Sequence, residues 1–89
     1  MREKTLYIQN KLGLHIRAAT KLVKVASCYI SEISLTYKQQ TVQAKNIMEV
    51  ITLGVSSGSE VILRVTGEDE HDAFAAMLDL IDNKFGEIE

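Results

Sequence analysis

The sequence predicts an α+β fold in which a single small sheet carries helices on one of its faces. Some segments alternate apolar and polar residues, which is the period of a half-buried strand. Other segments repeat apolar residues every three to four positions, which is the period of an amphipathic helix. The segments follow the order βαββαβα without a linker or an internal repeat, and 89 residues suffice for one domain only. We therefore expect one domain over residues 1–89, with four strands and three helices around one core.

The first predicted elements are a strand and a helix joined by a turn. Leu6 and Ile8 alternate with polar neighbours, which predicts a strand over residues 5–9. Residues 10–13, with the sequence NKLG, are typical of a turn. Apolar residues at helical spacing then predict a helix over residues 16–27. Its expected buried stripe consists of Ile16, Ala19, Leu22, Val23 and Ala26.

Two short neighbouring strands follow this helix. Ile33, Leu35 and Tyr37 alternate with polar residues and predict a second strand. The polar residues 38–40 then predict a tight turn, because no apolar residue interrupts them. The chain after this turn is expected to form a short partner strand over residues 41–44.

A capping pattern marks the start of the second helix. Asn46 precedes Glu49 by three residues, which is the spacing of a capping box. In such a box, the Asn46 side chain accepts a bond from the helix backbone and the Glu49 side chain reaches back. The helix is expected to run to about Leu53 and to end at Gly54, a typical helix-terminating residue.

The last predicted elements are a strand and a helix. Val61, Leu63 and Val65 form the clearest alternating pattern of the sequence, and Gly67 ends it. Acidic residues then crowd the start of a helix, where negative charge suits the helix dipole. These residues are Glu68, Asp69, Glu70 and Asp72. The helix is expected to run to about Lys84. Its predicted buried stripe consists of Ala73, Met77, Leu80 and Ile81.

Charge is distributed unevenly along the chain. The net charge is −2, but nine of the ten basic residues precede residue 68 and eight of the twelve acidic residues follow residue 67. A basic part of this kind could bind nucleic acid or an acidic protein surface. The chain has only three Tyr and two Phe, and no strand carries the paired aromatic residues of RNA-binding sheets. We therefore expect no nucleic-acid partner.

The composition also bears on location and on metal binding. No run of 18 apolar residues is present, and the first ten residues lack the apolar core of a secretory signal. Cys28 is the only cysteine, so neither an intramolecular disulfide nor a multi-cysteine zinc site can form. His71 lies among acidic residues but lacks further ligands for a metal. We expect a cytoplasmic protein without membrane insertion, metal or cofactor.

One segment combines a nucleophile, a positive charge and an anion site. Residues 13–20 read GLHIRAAT and place His15 and Arg17 two residues apart at the predicted start of the first helix. A helix start presents free backbone N–H groups and the positive end of the helix dipole. An imidazole nitrogen is a competent nucleophile, and the Arg17 guanidinium would neutralise a phosphoryl group attached to it. The segment therefore predicts a phosphate-carrying histidine.

The chain resembles the HPr family, the histidine-containing phosphocarriers of the bacterial phosphoenolpyruvate-dependent phosphotransferase system. The resemblance runs nearly from end to end. Its most specific parts are NKLGLHIRAAT at residues 10–20, AKNIMEVITLGVSSG at residues 44–58 and GEDE at residues 67–70. It implies an open-faced β-sandwich, in which three helices cover one face of a four-stranded antiparallel sheet of order 1-4-2-3.

The same resemblance implies a function. His15 would be the phospho-acceptor, modified at its pros nitrogen, and Arg17 would be its charge partner. The phosphoryl group would come originally from phosphoenolpyruvate, arrive from enzyme I and pass to a sugar-specific enzyme IIA. Such a protein is a carrier rather than an enzyme. We expect it to be a monomer.

A docking surface is expected beside His15. Arg17, Lys21 and Lys24 share one face of the first helix, where they would steer an acidic partner. The resemblance adds the start of the second helix as a further contact for the same partners. The expected docking residues are Thr20, Lys21, Lys24, Ile47, Met48 and Ile51.

Three positions depart from the family pattern. The family commonly has a small residue and then proline on the two sides of the arginine, where this chain has Ile16 and Ala18. Asn46 occupies the position of a regulatory serine in many relatives, so no serine-type phosphorylation is expected there. Two alternative functions remain open at this point. One is a regulatory homologue of the nitrogen-type phosphotransferase chain, and the other is an adaptor that binds partners without carrying phosphate.

Overall fold

Burial alternates along the strands, so that one face of the sheet is covered. The fold is described from a computed structural model, for residues 1–87 of the chain. In the strand Glu60–Thr66, Val61, Leu63 and Val65 are fully buried, whereas Glu60 and Arg64 are exposed. The elements are β1 (Arg2–Tyr7), α1 (Ile16–Ala26), β2 (Glu32–Tyr37), β3 (Gln40–Gln43), α2 (Ile47–Leu53), β4 (Glu60–Thr66), α3 (Glu70–Asp82) and a C-terminal 3₁₀ turn (Lys84–Gly86).

The four strands form one antiparallel sheet of order β1-β4-β2-β3. In the central register, Leu63 of β4 lies opposite Leu35 of β2, and Leu35 lies opposite Val42 of β3. On the other side, Val61 pairs with Leu6 of β1. The predicted open-faced sandwich with strand order 1-4-2-3 is therefore confirmed.

The core lies between the sheet and the helices. Helix α1 presents three fully buried alanines, and its backbone lies closest to α2 and α3; these alanines are Ala18, Ala19 and Ala26. Helix α3 contributes Ala73, Met77 and Ile81, all of them buried. Leu80, which the apolar stripe also included, is only partly buried against this core.

Two predictions about the N-terminal half are wrong. The first strand is Arg2–Tyr7 rather than residues 5–9, because its backbone pairs with β4 from Arg2 onward whatever the polarity of the side chains. Ile8 is buried beyond the strand, where its N–H donates to the Ser59 carbonyl at 3.0 Å. Ile16 is 68% exposed and does not belong to the buried stripe of α1, since it begins the helix at the open end beside the turn.

The end of α3 also differs from the prediction. The helix stops at Asp82 instead of continuing to Lys84. Lys84 and Phe85 adopt positive φ angles of 55° and 57°, a conformation that non-glycine residues rarely adopt. This turn buries Phe85 completely and directs the following chain toward the start of α1. The Lys21 ammonium donates to the Phe85 carbonyl at 2.7 Å and holds the turn there.

The start of α2 confirms one half of the predicted capping box. The Asn46 side-chain oxygen accepts a bond from the Glu49 N–H at 3.2 Å, as expected of an N-cap. The Glu49 carboxylate does not reach back to Asn46; it accepts from the Gln43 N–H instead, at 3.2 Å. The Asn46 N–H is already bonded to the Gln43 carbonyl, which explains the change of partner. Gly54 ends the helix with a φ of 67°, as predicted.

Replacing Asn46 with alanine is expected to lower the free energy of unfolding by about 1 kcal/mol, because the first turn of α2 loses its cap. Asn46→Ser keeps a side-chain oxygen and is expected to retain most of the stability. Urea unfolding of both variants and the unmodified chain measures the difference. Equal losses in the two variants would show that the cap oxygen does not stabilise α2.

Candidate functional site

His15 is the N-cap residue of α1. Its backbone is extended, with φ −73° and ψ 179°, and its ring nitrogen Nδ1 accepts a bond from the Arg17 backbone N–H at 3.2 Å. The first bond within the helix runs from the Ala19 N–H to the His15 carbonyl at 2.8 Å. The ring therefore lies where the free N–H groups of the first helical turn and the positive end of the dipole are concentrated.

The turn before His15 is held against the chain that follows α2. The Leu14 N–H donates to the Val55 carbonyl at 2.9 Å, and Gly13 adopts a φ of 67°. A Cβ atom on Gly13 would lie 2.6 Å from the Val55 carbonyl oxygen, so only glycine fits this approach. These contacts set the position from which α1 and its cap begin.

The other ring nitrogen of His15 contacts the far end of the chain. Nε2 is hydrogen-bonded to the Glu87 carboxylate through Oε2. The second carboxylate oxygen, Oε1, accepts from the Asn10 side-chain amide at 2.9 Å. The same amide donates to the Gly13 carbonyl at 2.6 Å, and Asn10 is fully buried. His15, Glu87 and Asn10 thus form a connected polar network.

The Glu87 carboxylate remains charged in this network. Burial raises its pKa, but the hydrogen bonds from Asn10 and His15 and the positive charge of Lys21 act in the opposite direction and outweigh burial. The pKa of Glu87 is therefore below its ordinary value. Because this pKa is lowered, the ionised carboxylate and the contacts that depend on it are present at neutral pH and are lost only in acid.

The two contacts of the ring identify its protonation. A carboxylate has only acceptors, so Nε2 must carry the hydrogen that Glu87 receives. A backbone amide is a donor, so Nδ1 must present its lone pair to the Arg17 N–H. The neutral ring is thereby assigned, from its hydrogen-bond network, as the tautomer with hydrogen on Nε2. Nδ1 is the nitrogen available as a nucleophile.

The three basic side chains predicted to share one face of α1 differ in exposure in the structure. The Arg17 and Lys24 side chains are exposed, as a docking role requires. Lys21 is half-buried and bonded to Phe85, so its ammonium supports the C-terminal segment. The Thr20 hydroxyl donates to the Ile16 carbonyl at 2.7 Å on the exposed side of the same helix.

The predicted docking residues of α2 also differ in exposure. Ile47 and Ile51 are partly buried against the core, whereas Met48 is 68% exposed. Met48 lines a shallow groove with residues of β3 and α2. A separate, open groove surrounds the ring of His15. Its lining includes Leu12, Ile16, Arg17, Lys21 and Glu87.

The sequence patterns did not reveal three residues of the site, which are Asn10, Leu12 and Glu87. Leu12 is 68% exposed beside His15, and an isolated leucine in a turn carries no periodic signal. Asn10 was placed in a turn, and its contact with Glu87 spans 77 positions. Such a contact has no local pattern that could reveal it.

Membrane-spanning helices and metal sites were both considered for residues 1–87. No helix in this range is long and apolar enough to cross a bilayer. Within the same described part of the chain, no group of three or more His, Cys, Asp or Glu side chains is suitably placed for a metal ion.

Comparison with known proteins gives the family. A family model described as "PTS HPr component phosphorylation site" matches residues 2–83. The phosphocarrier protein HPr of Xylella fastidiosa (strain 9a5c) is 45% identical over 98% of both chains. The crystal structure of HPr-C-His from Thermoanaerobacter tengcongensis has a TM-score of 0.96 at 45% identity and covers all of both chains. An HPr dimer from the same organism has a TM-score of 0.78 at 46% identity, covering 98% of this chain and all of that one. The chain therefore belongs to the HPr family of the phosphotransferase system.

Proposed function

We propose that the chain carries a phosphoryl group on Nδ1 of His15, accepting it from enzyme I and passing it to a sugar-specific enzyme IIA. One observation carries this proposal: the lone pair of Nδ1 lies at the N-terminus of α1, where it meets the Arg17 N–H at 3.2 Å. A nucleophile at that point attacks an incoming phosphorus atom beside donors that favour the phosphoryl oxygens.

The site stabilises the product as well as accepting it. After transfer, the free N–H groups at the start of α1 would bind the phosphoryl oxygens that replace the lone pair as their acceptor. The exposed Arg17 guanidinium supplies positive charge from the same turn. Ala18, where the family commonly has proline, keeps its backbone N–H for this purpose.

The exposure of the site suits a carrier rather than an enzyme that encloses a small substrate. The His15 side chain is 24% exposed and lies in a shallow, open groove. A donor protein and an acceptor protein can therefore reach the same nitrogen in turn. The phosphoryl chemistry then takes place between proteins, and no cofactor is needed.

The partners are proposed to dock around His15 on exposed apolar and basic side chains. Met48 and Ile16, each 68% exposed, supply apolar contact area. Thr20 and Lys24 are exposed on α1, and Lys24 adds positive charge for an acidic partner. Lys21, Ile47 and Ile51 are half-buried and would contribute smaller contacts. We propose a cytoplasmic monomer; because a dimer of a similar HPr is known, light scattering is the check on the oligomeric state.

The experiment is a phosphorylation assay with purified components. The chain is incubated with phosphoenolpyruvate, magnesium and enzyme I from its own organism, and its intact mass is measured. We expect a gain of one phosphoryl group that is lost in acid, survives in alkali and maps to His15 by fragmentation. Addition of a sugar-specific enzyme IIA is expected to remove it. A chain that stays unmodified, or keeps its phosphate in the presence of each sugar-specific enzyme IIA of its organism, would overturn the proposal.

A further inference from the structure

We propose that Glu87 is a positioning residue for phosphoryl transfer, acting through Nε2 of His15 and held in place by Asn10. The inference rests on the proposed function, because it concerns how His15 accepts and releases its phosphoryl group. In this role, the Glu87 carboxylate on the far side of the ring keeps Nδ1 aimed outward and balances the positive charge that the ring gains on phosphorylation.

The first support is that both oxygens of the Glu87 carboxylate have partners. Oε2 accepts from Nε2 of His15, and Oε1 accepts from the Asn10 amide at 2.9 Å. A carboxylate held at both oxygens has a defined direction, and it transmits that direction to the ring. The carboxylate side chain is only 16% exposed, so water competes weakly for these bonds.

The second support is the fully buried amide of Asn10. Its Nδ2 donates to both Glu87 and the Gly13 carbonyl, at 2.9 Å and 2.6 Å. Its Oδ1 has no hydrogen-bond partner among the described residues, although it is buried. Leaving a buried carbonyl oxygen unpaired costs free energy. The two hydrogen bonds that the NH₂ group donates offset this cost. Those bonds connect the turn before His15 to the carboxylate behind it.

The third support is the ordered path by which Glu87 reaches the site. Phe85 is fully buried and anchors the C-terminal segment, and Lys21 donates to its carbonyl at 2.7 Å. The Glu87 N–H then donates to the Lys84 carbonyl at 3.0 Å. These contacts come from core packing and from α1. The position of the Glu87 carboxylate is therefore set by the packing of the folded chain.

The chemistry assigns a role to this carboxylate in both directions of transfer. The Nδ1 lone pair forms a bond to phosphorus while the phosphorus–nitrogen bond of the donor histidine breaks, and that electron pair returns to the donor ring. No proton leaves His15, so its ring becomes a phosphoimidazolium with hydrogen still on Nε2. The negative Glu87 carboxylate stabilises this cation through the same hydrogen bond. Because the same bond keeps the hydrogen on Nε2, the ring leaves phosphorus as a neutral imidazole rather than as an anion when the group passes to the acceptor.

The groups that face Glu87 favour the charged carboxylate. His15 faces it from the start of α1, Lys21 from the next turn of the same helix, and Asn10 from the turn before. The phosphoryl group would be attached to Nδ1, whereas the carboxylate binds Nε2 across the ring. The two negative groups therefore flank the imidazolium on different nitrogens instead of competing for one.

The test removes the charge of Glu87 while keeping its shape. Glu87→Gln is expected to slow the maximal rate of phosphate uptake from enzyme I about tenfold, the lower range for losing a hydrogen bond to a charged group. The apparent KM for enzyme I is expected to stay unchanged, because docking does not use Glu87. Glu87→Asp, which restores a carboxylate, is expected to recover part of the rate. Glu60→Gln removes an exposed carboxylate of β4 and is the matched control, with an expected rate equal to that of the unmodified chain.

A second readout needs no phosphoryl transfer. In the unmodified chain, proton NMR is expected to show a downfield Nε2–H signal of His15 that exchanges slowly with water, and Glu87→Gln is expected to move it upfield and broaden it. A rate and a signal unchanged in Glu87→Gln, or a rate that falls as far in Glu60→Gln, would overturn the role of Glu87. If the unmodified chain shows the signal but takes up no phosphate, the proposed function fails while the contact of Glu87 with the ring stands.

Discussion

Replacing His15 with alanine is expected to abolish phosphate uptake from enzyme I, because the first turn of α1 then has no nucleophilic nitrogen. The neighbouring N–H groups remain, but they only bind phosphoryl oxygens and form no bond to phosphorus. The fold is expected to persist with a loss of about 1 kcal/mol, since the ring also serves as the N-cap of α1. Intact mass after incubation with phosphoenolpyruvate and enzyme I measures the phosphate, and urea unfolding measures the stability.

The second histidine of the chain provides the matched control. The sequence contains two histidines, and His71 is exposed in the first turn of α3, among acidic residues. His71→Ala is therefore expected to take up phosphate at the rate of the unmodified chain. Acid-labile phosphate on the His15→Ala variant, or its loss from His71→Ala, would place the acceptor elsewhere.

Replacing Gly13 with alanine is expected to lower the free energy of unfolding by about 3 kcal/mol. About 1 kcal/mol comes from the left-handed backbone, which a side chain disfavours, and the rest comes from crowding. The added Cβ would lie 2.6 Å from the Val55 carbonyl oxygen and 2.9 Å from two other backbone atoms, none of which can rotate away. Relief requires the turn to shift, and His15 shifts with it. The variant is therefore also expected to take up phosphate more slowly.

Gly58 separates conformational strain from crowding. It also adopts a positive φ, 84°, but apart from its two chain neighbours a Cβ there would meet no atom of residues 1–87 within 4 Å. Gly58→Ala is expected to lose only about 1 kcal/mol, the cost of the left-handed conformation alone. Urea unfolding of the two variants gives the difference. If Gly58→Ala were destabilised as much as Gly13→Ala, the close approach of the turn to Val55 would not account for the loss.

The elements were predictable where burial follows a local period. Val61, Leu63 and Val65 are all fully buried, as their alternation predicted. The helix stripes at Leu22 and Met77 were predicted for the same reason, and Asn46 was identified as a cap from its spacing to Glu49. Periodicity fails at the ends of elements, since Ile16 belongs to the helical pattern but is 68% exposed at the first position of α1.

The strand order required more than periodicity. Alternation shows which face of a strand is buried but not which strand lies beside it, because pairing is a long-range property. The order β1-β4-β2-β3 was predicted only through the resemblance of residues 10–20 and 44–58 to a known family, and the register now confirms it.

The sequence by itself determined the element types, the single core and the placement of His15 and Arg17 at a helix start, because these follow from interactions between near neighbours in the chain. Only the tertiary structure decided what lies behind the His15 ring. Phe85 was not predicted as core, and the positive φ angles of Lys84 and Phe85 fall on non-glycine residues, which no sequence pattern reveals. That turn brings Glu87 to Nε2 of His15 across 72 positions, and such a contact depends on how the whole core packs.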